Sequence, residues 1–176
     1  MMLAGRNPSL KPQDVVLLIK LIVLRHKNWR ISDLAHALKI SASEISHGLE
    51  RLRLCGLISF DKKTVNSHAV LEFLVHGLKY VFPAHAGTVR LGIPTAHSFM
   101  AHSSVVASET DYVWATEKGT LRGISIPPLY SNVPNAVEDD EKLHEALALI
   151  DALRIGKVRE KKIAEERLER LIVGNE

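Results

Sequence analysis

Apolar residues recur at helical spacing through residues 11–82 and give way to Pro, Gly and short alternating runs over 83–136. They return at helical spacing over 137–173. In the first zone Pro12 suits the opening turn of a helix running to about His26. Val15, Val16, Leu18, Ile19, Ile22 and Val23 make that helix apolar nearly all round, which predicts burial. Ser32 is placed to cap a second helix with Leu34, Ala35 and Leu38 turned inward. Ser41-Ala42-Ser43-Glu44 reads as a capping box that opens a third helix, in which the Ser hydroxyl takes the Glu44 amide and the Glu carboxylate reaches back. Ile45, Leu49 and Leu52 form its buried stripe, and Gly56 is the glycine expected to close it in a left-handed conformation. Strand-like Leu57-Ile58-Ser59-Phe60 and the polar turn Asp61-Lys62-Lys63-Thr64 follow.

A fourth helix is expected from Ser67 to about Val81, rich in Val70, Leu71, Phe73, Leu74, Val75, Leu78 and Phe82. So small a helical unit leaves Leu71, Leu74, Val75 and Leu78 without cover, so either a second copy of the chain or the carboxy-terminal helices must bury them. Residues 112–126 read as a β-hairpin turning at Glu117-Lys118-Gly119-Thr120, ended by Pro127-Pro128. In the tail, Leu143, Ala146, Leu147, Ile150 and Leu153 mark one helix face. Gly156 interrupts, and Ala164, Leu168, Leu171 and Ile172 mark the next, a pair expected to dimerise or to cover the core.

Two short helices joined by about three residues, then a strand and a basic turn, is the plan of a winged helix-turn-helix. The stretch ISDLAHALKISASEISHGLERLRLCGLISFDKK resembles the winged-helix core of MarR-type and related bacterial transcriptional regulators. The matching positions are Leu34-Ala35, Leu38, Ile40-Ser41, Ile45-Ser46, Leu49, Leu52 and Gly56-Leu57, within about residues 14–65. The resemblance departs in the wing, where only Thr64-Val65 can return as a strand before Asn66-Ser67 opens the next helix, so a short wing is expected. The fold class expected is mainly α, within α+β. A winged helix-turn-helix domain with its following apolar helix spans 11–82, a loop-rich segment with one β-hairpin spans 83–136, and a helical hairpin spans 137–173.

The resemblance implies a transcriptional regulator, in the commoner case a repressor, that inserts the helix Ser41–Cys55 into the major groove of double-stranded DNA. The apolar fourth helix adds the expectation of a homodimer, and the lone cysteine, with no signal or membrane segment, that of a cytoplasmic protein. The alternative is a winged-helix interaction module in a larger assembly, without direct DNA contact. With the buried stripe subtracted, Ser41, Ala42, Ser43, Ser46, His47 and Glu50 face outward. Ser43 and Ser46 can bond a base or phosphate, Ala42 can touch a thymine methyl, and His47 can donate to phosphate or to a guanine acceptor. Arg30, Arg51, Arg53, Lys62 and Lys63 flank the helix and turn and are the phosphate candidates.

Charge points the same way. Residues 1–82 carry 12 Lys and Arg against 6 Asp and Glu, and residues 83–176 carry 11 against 14, so a net +3 hides a basic amino-terminal half. With 46% hydrophobic and 24% charged residues the chain reads as globular, and 5% aromatics leave the core to Leu, Ile, Val and Ala. The lone Cys55 excludes an internal disulfide and a Cys-based zinc site. The run Val15–Leu24, interrupted by Lys20, is roughly half a membrane span, and the amino terminus carries no apolar signal segment, so no membrane partner is expected. No Gly-rich phosphate loop, His-Glu-x-x-His or Gly-x-Ser-x-Gly pattern is present, so an enzyme is not expected, nor a catalytic residue or cofactor. His85, His97 and His102 lie in a loop-rich stretch. Their spacing matches no compact metal motif, and surface or hydrogen-bonded histidines are the favoured reading. A small-molecule or protein effector remains open, as does the basic run at 157–162, a phosphate contact or a solvated face.

Overall fold

The computed structural model describes residues 9–25, 27–101 and 110–173. The architecture is α+β: helices α1 (Pro12–Leu24), α2 (Ile31–Leu38) and α3 (Ala42–Leu54) come first. Then follow α4 (Ser67–Glu72), a π-helical turn (Phe73–Gly77) and α5 (Leu78–Val81), which continue one another. The middle zone holds β1 (Val89–Pro94), α6 (His97–Ala101), β2 (Tyr112–Ala115), β3 (Leu121–Ser125) and α7 (Val133–Ala136). The chain closes with α8 (Glu141–Ile155) and α9 (Val158–Ile172).

Local chemistry explains most boundaries. Asp14 accepts the Lys11 amide (2.8 Å) at the start of α1, and Asp33 accepts the Arg30 amide (2.8 Å) at the start of α2. Arg30, not Ser32, therefore occupies the cap position of α2, and Asp33 in the first turn accepts the cap residue's own amide, where a carboxylate also suits the positive end of the helix. Ser41 caps α3, its hydroxyl accepting the Glu44 amide (3.2 Å). The reciprocal half of that capping box is not made, because the Glu44 carboxylate is taken by Lys11 (2.8 Å), Gln13 (3.1 Å) and Arg51 (2.5 Å). At the far end Gly56 has φ +74°, and the Gly56 and Leu57 amides return to Arg53 and Leu52 carbonyls (3.0 Å each). This is the helix-ending arrangement that needs a residue free to adopt positive φ. The turn after α3 is short: an isolated bridge joins Ile58 to Val65, closed by Ser59 N–H on the Thr64 carbonyl (2.8 Å).

The middle zone departs from expectation. β2 and β3 do not form an antiparallel hairpin. Both run antiparallel to β1 and parallel to each other, Tyr112 facing Ile124 and Val113 facing Ser125, so three strands close on themselves. The turn at 117–120 crosses over Gly92 instead of folding straight back, with Thr120 donating to the Gly92 carbonyl (3.1 Å). A Cβ on Gly119 would sit 2.3 Å from the Gly92 backbone, and one on Gly92 would sit 2.2 Å from the Trp114 carbonyl oxygen. Only glycines permit that crossing.

α8 runs through the middle of the molecule. From Ala146 to Arg154 every residue is buried, so it is enclosed all round and not one-faced as its pattern predicts. It covers Leu74 and Leu78, which are 1% and 0% exposed. The expectation that these side chains need a second copy therefore loses its basis, and Leu71 and Val75 are half-buried as well. Hydrophobic residues of all three zones join one core.

His144, on α8, donates from Nε2 to the Pro94 carbonyl (2.8 Å) and packs on Phe99 and Trp114. Burial holds its pKa below the ordinary histidine value, against the opposing pull of the Pro94 carbonyl and Glu141. The unfolded chain then binds the proton more readily, so stability is full above a pH of about 6.5 and falls as pH drops toward the folded-state pKa. His144→Gln keeps an N–H donor and is expected to flatten that part of the pH dependence. Urea midpoints at pH 7.5 and 5.5 check it, and identical slopes in both proteins would contradict it.

Candidate nucleic-acid interface

The three-residue turn at Lys39, Ile40 and Ser41 presents α3 across α1 and α2. Lys39 adopts a left-handed conformation (φ +56°), Ile40 is buried, and Ser41 caps. Two residues from the middle zone brace this turn: Tyr130 Oη and Asn132 Nδ2 both donate to the Lys39 carbonyl (3.0 and 3.4 Å). Ile45, Gly48, Leu49 and Leu52 form the inward face of α3. Gly48 is close-packed: a Cβ there would lie 2.9 Å from Asp14 Oδ1 and 3.0 Å from Leu17.

Five of the six residues expected outward are so, while Glu50 is half-buried and held by Arg53 and Lys62. Ser41, Ala42, Ser43, Ser46 and His47 are exposed, and among the described residues the side chains of Ser43, Ser46 and His47 make no hydrogen bond or ion pair. They occupy the first two turns of a helix about 20 Å long, a size that the major groove admits.

The flanking cations divide into three kinds. Arg51 is drawn inward: Nε and Nη2 grip the two oxygens of Asp14 (2.7 Å each), which is 1% exposed, and Nη2 also meets Glu44 (2.5 Å). Those carboxylates, Asp14 foremost, hold its pKa above the usual arginine value. Arg51 is thus a fastener between α1 and α3, which corrects its expected place among the phosphate contacts. Arg53 and Lys62 converge on Glu50 (2.5 and 2.7 Å), and their hydrogen bonds, that of Arg53 first, pull its pKa down to about 2. Arg30 and Lys63 are exposed with no acidic partner within 4 Å among the described residues.

The acids of α3 are therefore ionised and matched. Lys11, with Arg51, holds Glu44 below the ordinary carboxylate range, and two cations face the single charge of Glu50. No bare carboxylate is left on α3 to repel a phosphate.

Two features escape sequence reading. Lys39 lies in the turn, exposed beside α3, and nothing in its local pattern marks it. Phe60 is 86% exposed beside the turn, with the Arg53 guanidinium 5.3 Å over its ring, an exposure that its strand-like run does not mark. Of the histidines, His85 is exposed and His102 lies outside the described residues. His97 is buried, donating from Nε2 to the Thr110 carbonyl (2.5 Å), with Nδ1 3.5 Å from Glu160. Among the described residues no three His, Cys, Asp or Glu side chains are grouped to hold a metal, and no helix is long and apolar enough to cross a membrane.

Comparison with protein-family models, with curated proteins and with solved structures finds no match to this chain.

Proposed function

We propose that the protein is a cytoplasmic DNA-binding transcriptional regulator of winged helix-turn-helix type that reads duplex DNA with α3 and acts as a repressor by occupying promoter DNA. The observation that carries this reading is the free amino-terminal face of α3, with Ser43, Ser46 and His47 exposed and unengaged while both carboxylates of the helix are matched by cations. Arg30, Lys39 and Lys63 supply phosphate contacts, with Arg53 and Lys62 adding a surplus over Glu50. The short wing leaves the minor groove to the turn residues alone, so recognition rests on α3 and on DNA shape. The regulator type follows the sequence resemblance.

The test is titration of the protein against its own upstream DNA and a random duplex at two salt concentrations. Binding is expected to weaken steeply with salt. Ser46→Ala or His47→Ala should reduce preference for the specific DNA by about 1–3 kcal/mol, the discrimination that one good bond to a base edge supplies. Lys63→Ala should weaken both duplexes alike and flatten the salt slope by about one. Failure to retain either DNA at low salt overturns the reading.

One observation favours a second reading, a module that docks protein. Phe60 and Leu54, 86% and 52% exposed, put apolar surface beside the turn and the end of α3. Phe60→Ser leaves DNA binding intact under the first reading and removes the anchor under the second.

A further inference from the structure

The carbonyl of Lys39, in the turn between α2 and α3, is held from outside the helices that it joins. Tyr130 Oη donates to it (3.0 Å), Asn132 Nδ2 donates to it as well (3.4 Å), and Asn132 Nδ2 also donates to Tyr130 Oη (3.3 Å). We propose that Tyr130 and Asn132 are positioning residues for sequence discrimination by α3, acting through the Lys39 peptide without touching DNA. The inference rests on the proposed function and names what sets its specificity.

The turn needs such support. Lys39 has φ +56° and ψ 38°, a left-handed conformation that glycine adopts freely and that strains a residue with a Cβ. That conformation lets the Lys39 amide reach the His36 carbonyl (3.4 Å) and the Ile40 amide reach the Ala35 carbonyl (3.1 Å), which ends α2 and aims the chain into α3. A strained backbone persists where its surroundings fix it, and here the fixing falls on one carbonyl with two donors.

The donors are themselves anchored. They lie between Leu129 and Val133, 9% and 1% exposed, which seat this segment in the core. Upstream, Arg154 Nη1 donates to the Pro127 carbonyl (3.4 Å), and downstream α7 packs on α2. The brace thus carries the position of the core to the turn.

Side-chain length decides why this matters for reading DNA. The free residues on the leading face of α3 are Ser43, Ser46 and His47. A serine hydroxyl stands one bond beyond Cβ and turns about a single torsion, so it cannot follow a base edge when the helix shifts by about an ångström. Short readers discriminate only from a backbone held to about half an ångström. Arg30, Lys39 and Lys63 reach phosphate on long stems and accommodate such shifts. Loosening the turn therefore lowers preference for a specific sequence and spares nonspecific binding.

The test is the double variant Tyr130→Phe with Asn132→Ala in the full chain. Its preference for the protein's own upstream DNA over a random duplex is expected to fall at least about fivefold, the joint worth of two modest hydrogen bonds. Affinity for the random duplex should stay within about twofold. In the protein without DNA, the Ile40 amide should exchange with deuterium at least about tenfold faster, with the amides of α1 unchanged. A pair that served stability alone would lower the thermal midpoint and leave the preference as it was. Should the double variant unfold, Tyr130→Phe, which removes one oxygen, takes its place with an expected loss of at least about threefold. Unchanged preference or unchanged Ile40 exchange in a folded variant overturns the proposal, and so does equal weakening of both duplexes. An unaltered protein that retains neither duplex, or retains both alike, ends the regulator reading and this inference with it. One that prefers its own DNA while the folded variant keeps that preference overturns the inference alone.

Discussion

Asp151→Ala is expected to cost about 3–5 kcal/mol of folding stability, much of the roughly 5–15 kcal/mol that holds a domain together. Asp151 is 2% exposed at the heart of α8. Arg154 Nη1 donates to Oδ1 (2.7 Å), while Thr95 Oγ1 and Trp114 Nε1 donate to Oδ2 (2.9 and 2.6 Å). Arg154 carries the connection outward, donating to the Phe82, Pro83 and Pro127 carbonyls (2.8, 3.2 and 3.4 Å). One carboxylate thus ties α8 to the start of α6, to β2 and to the loops that leave α5 and β3. Burial pushes its pKa up, against Arg154 and the two neutral donors. Alanine there leaves a buried guanidinium without its counter-charge and two donors without an acceptor, which is where the cost arises. Urea denaturation followed by tryptophan fluorescence and circular dichroism measures it. Asp151→Leu combined with Arg154→Met removes both charges and is expected to recover part of the loss. A loss below about 1 kcal/mol for the single variant would contradict this account.

Arg51→Ala is expected to destabilise the protein by about 3 kcal/mol, the lower end of the range for breaking a buried pair, because water reaches a guanidinium that is 13% exposed. Asp14 would keep only the Lys11 amide, and α3 would lose the grip that sets it against α1. Arg51→Lys should rescue little, since an ammonium cannot span both carboxylate oxygens with the same fork. Lys63→Ala is expected to leave the urea midpoint unchanged. The contrast separates the two cations: an Arg51→Ala variant of full stability whose binding to all DNA is uniformly weaker would return Arg51 to the phosphate contacts.

Features set by near neighbours were legible in the chain. The burial of Val15, Val16, Leu18 and Ile19, the stripe Ile45-Leu49-Leu52, the Ser41 cap, the left-handed Gly56 and the short turn at 59–64 all depend on patterns within one or two turns, and each has its expected place. The free face of α3 follows by subtraction from that stripe. Periodicity could not distinguish two cations of identical type on the same helix. Arg51 and Arg53 differ only because Asp14, 37 residues away from Arg51, packs beneath it, while Glu50 and Phe60 flank Arg53.

The tail and middle show the same division more sharply. Helices on either side of Gly156 follow from spacing, but that α8 lies at the centre, covering Leu74 and Leu78, follows from what packs around it. The parallel pairing of β2 with β3 depends on Gly92 of β1, which lets the turn at 117–120 cross over it, a contact between residues 27 apart. Asp151 meets Thr95 across 56 positions, and the braces on the Lys39 carbonyl come from more than 90 positions away. Helix periods, caps and turns are short-range physics: they select backbone conformation through neighbouring amides and side chains, and the sequence alone determines them. Which charge is matched, which apolar face is covered and which strands pair depend on contacts between distant segments. Those contacts form only when burial of the common core brings the segments together, and the tertiary structure alone decided them.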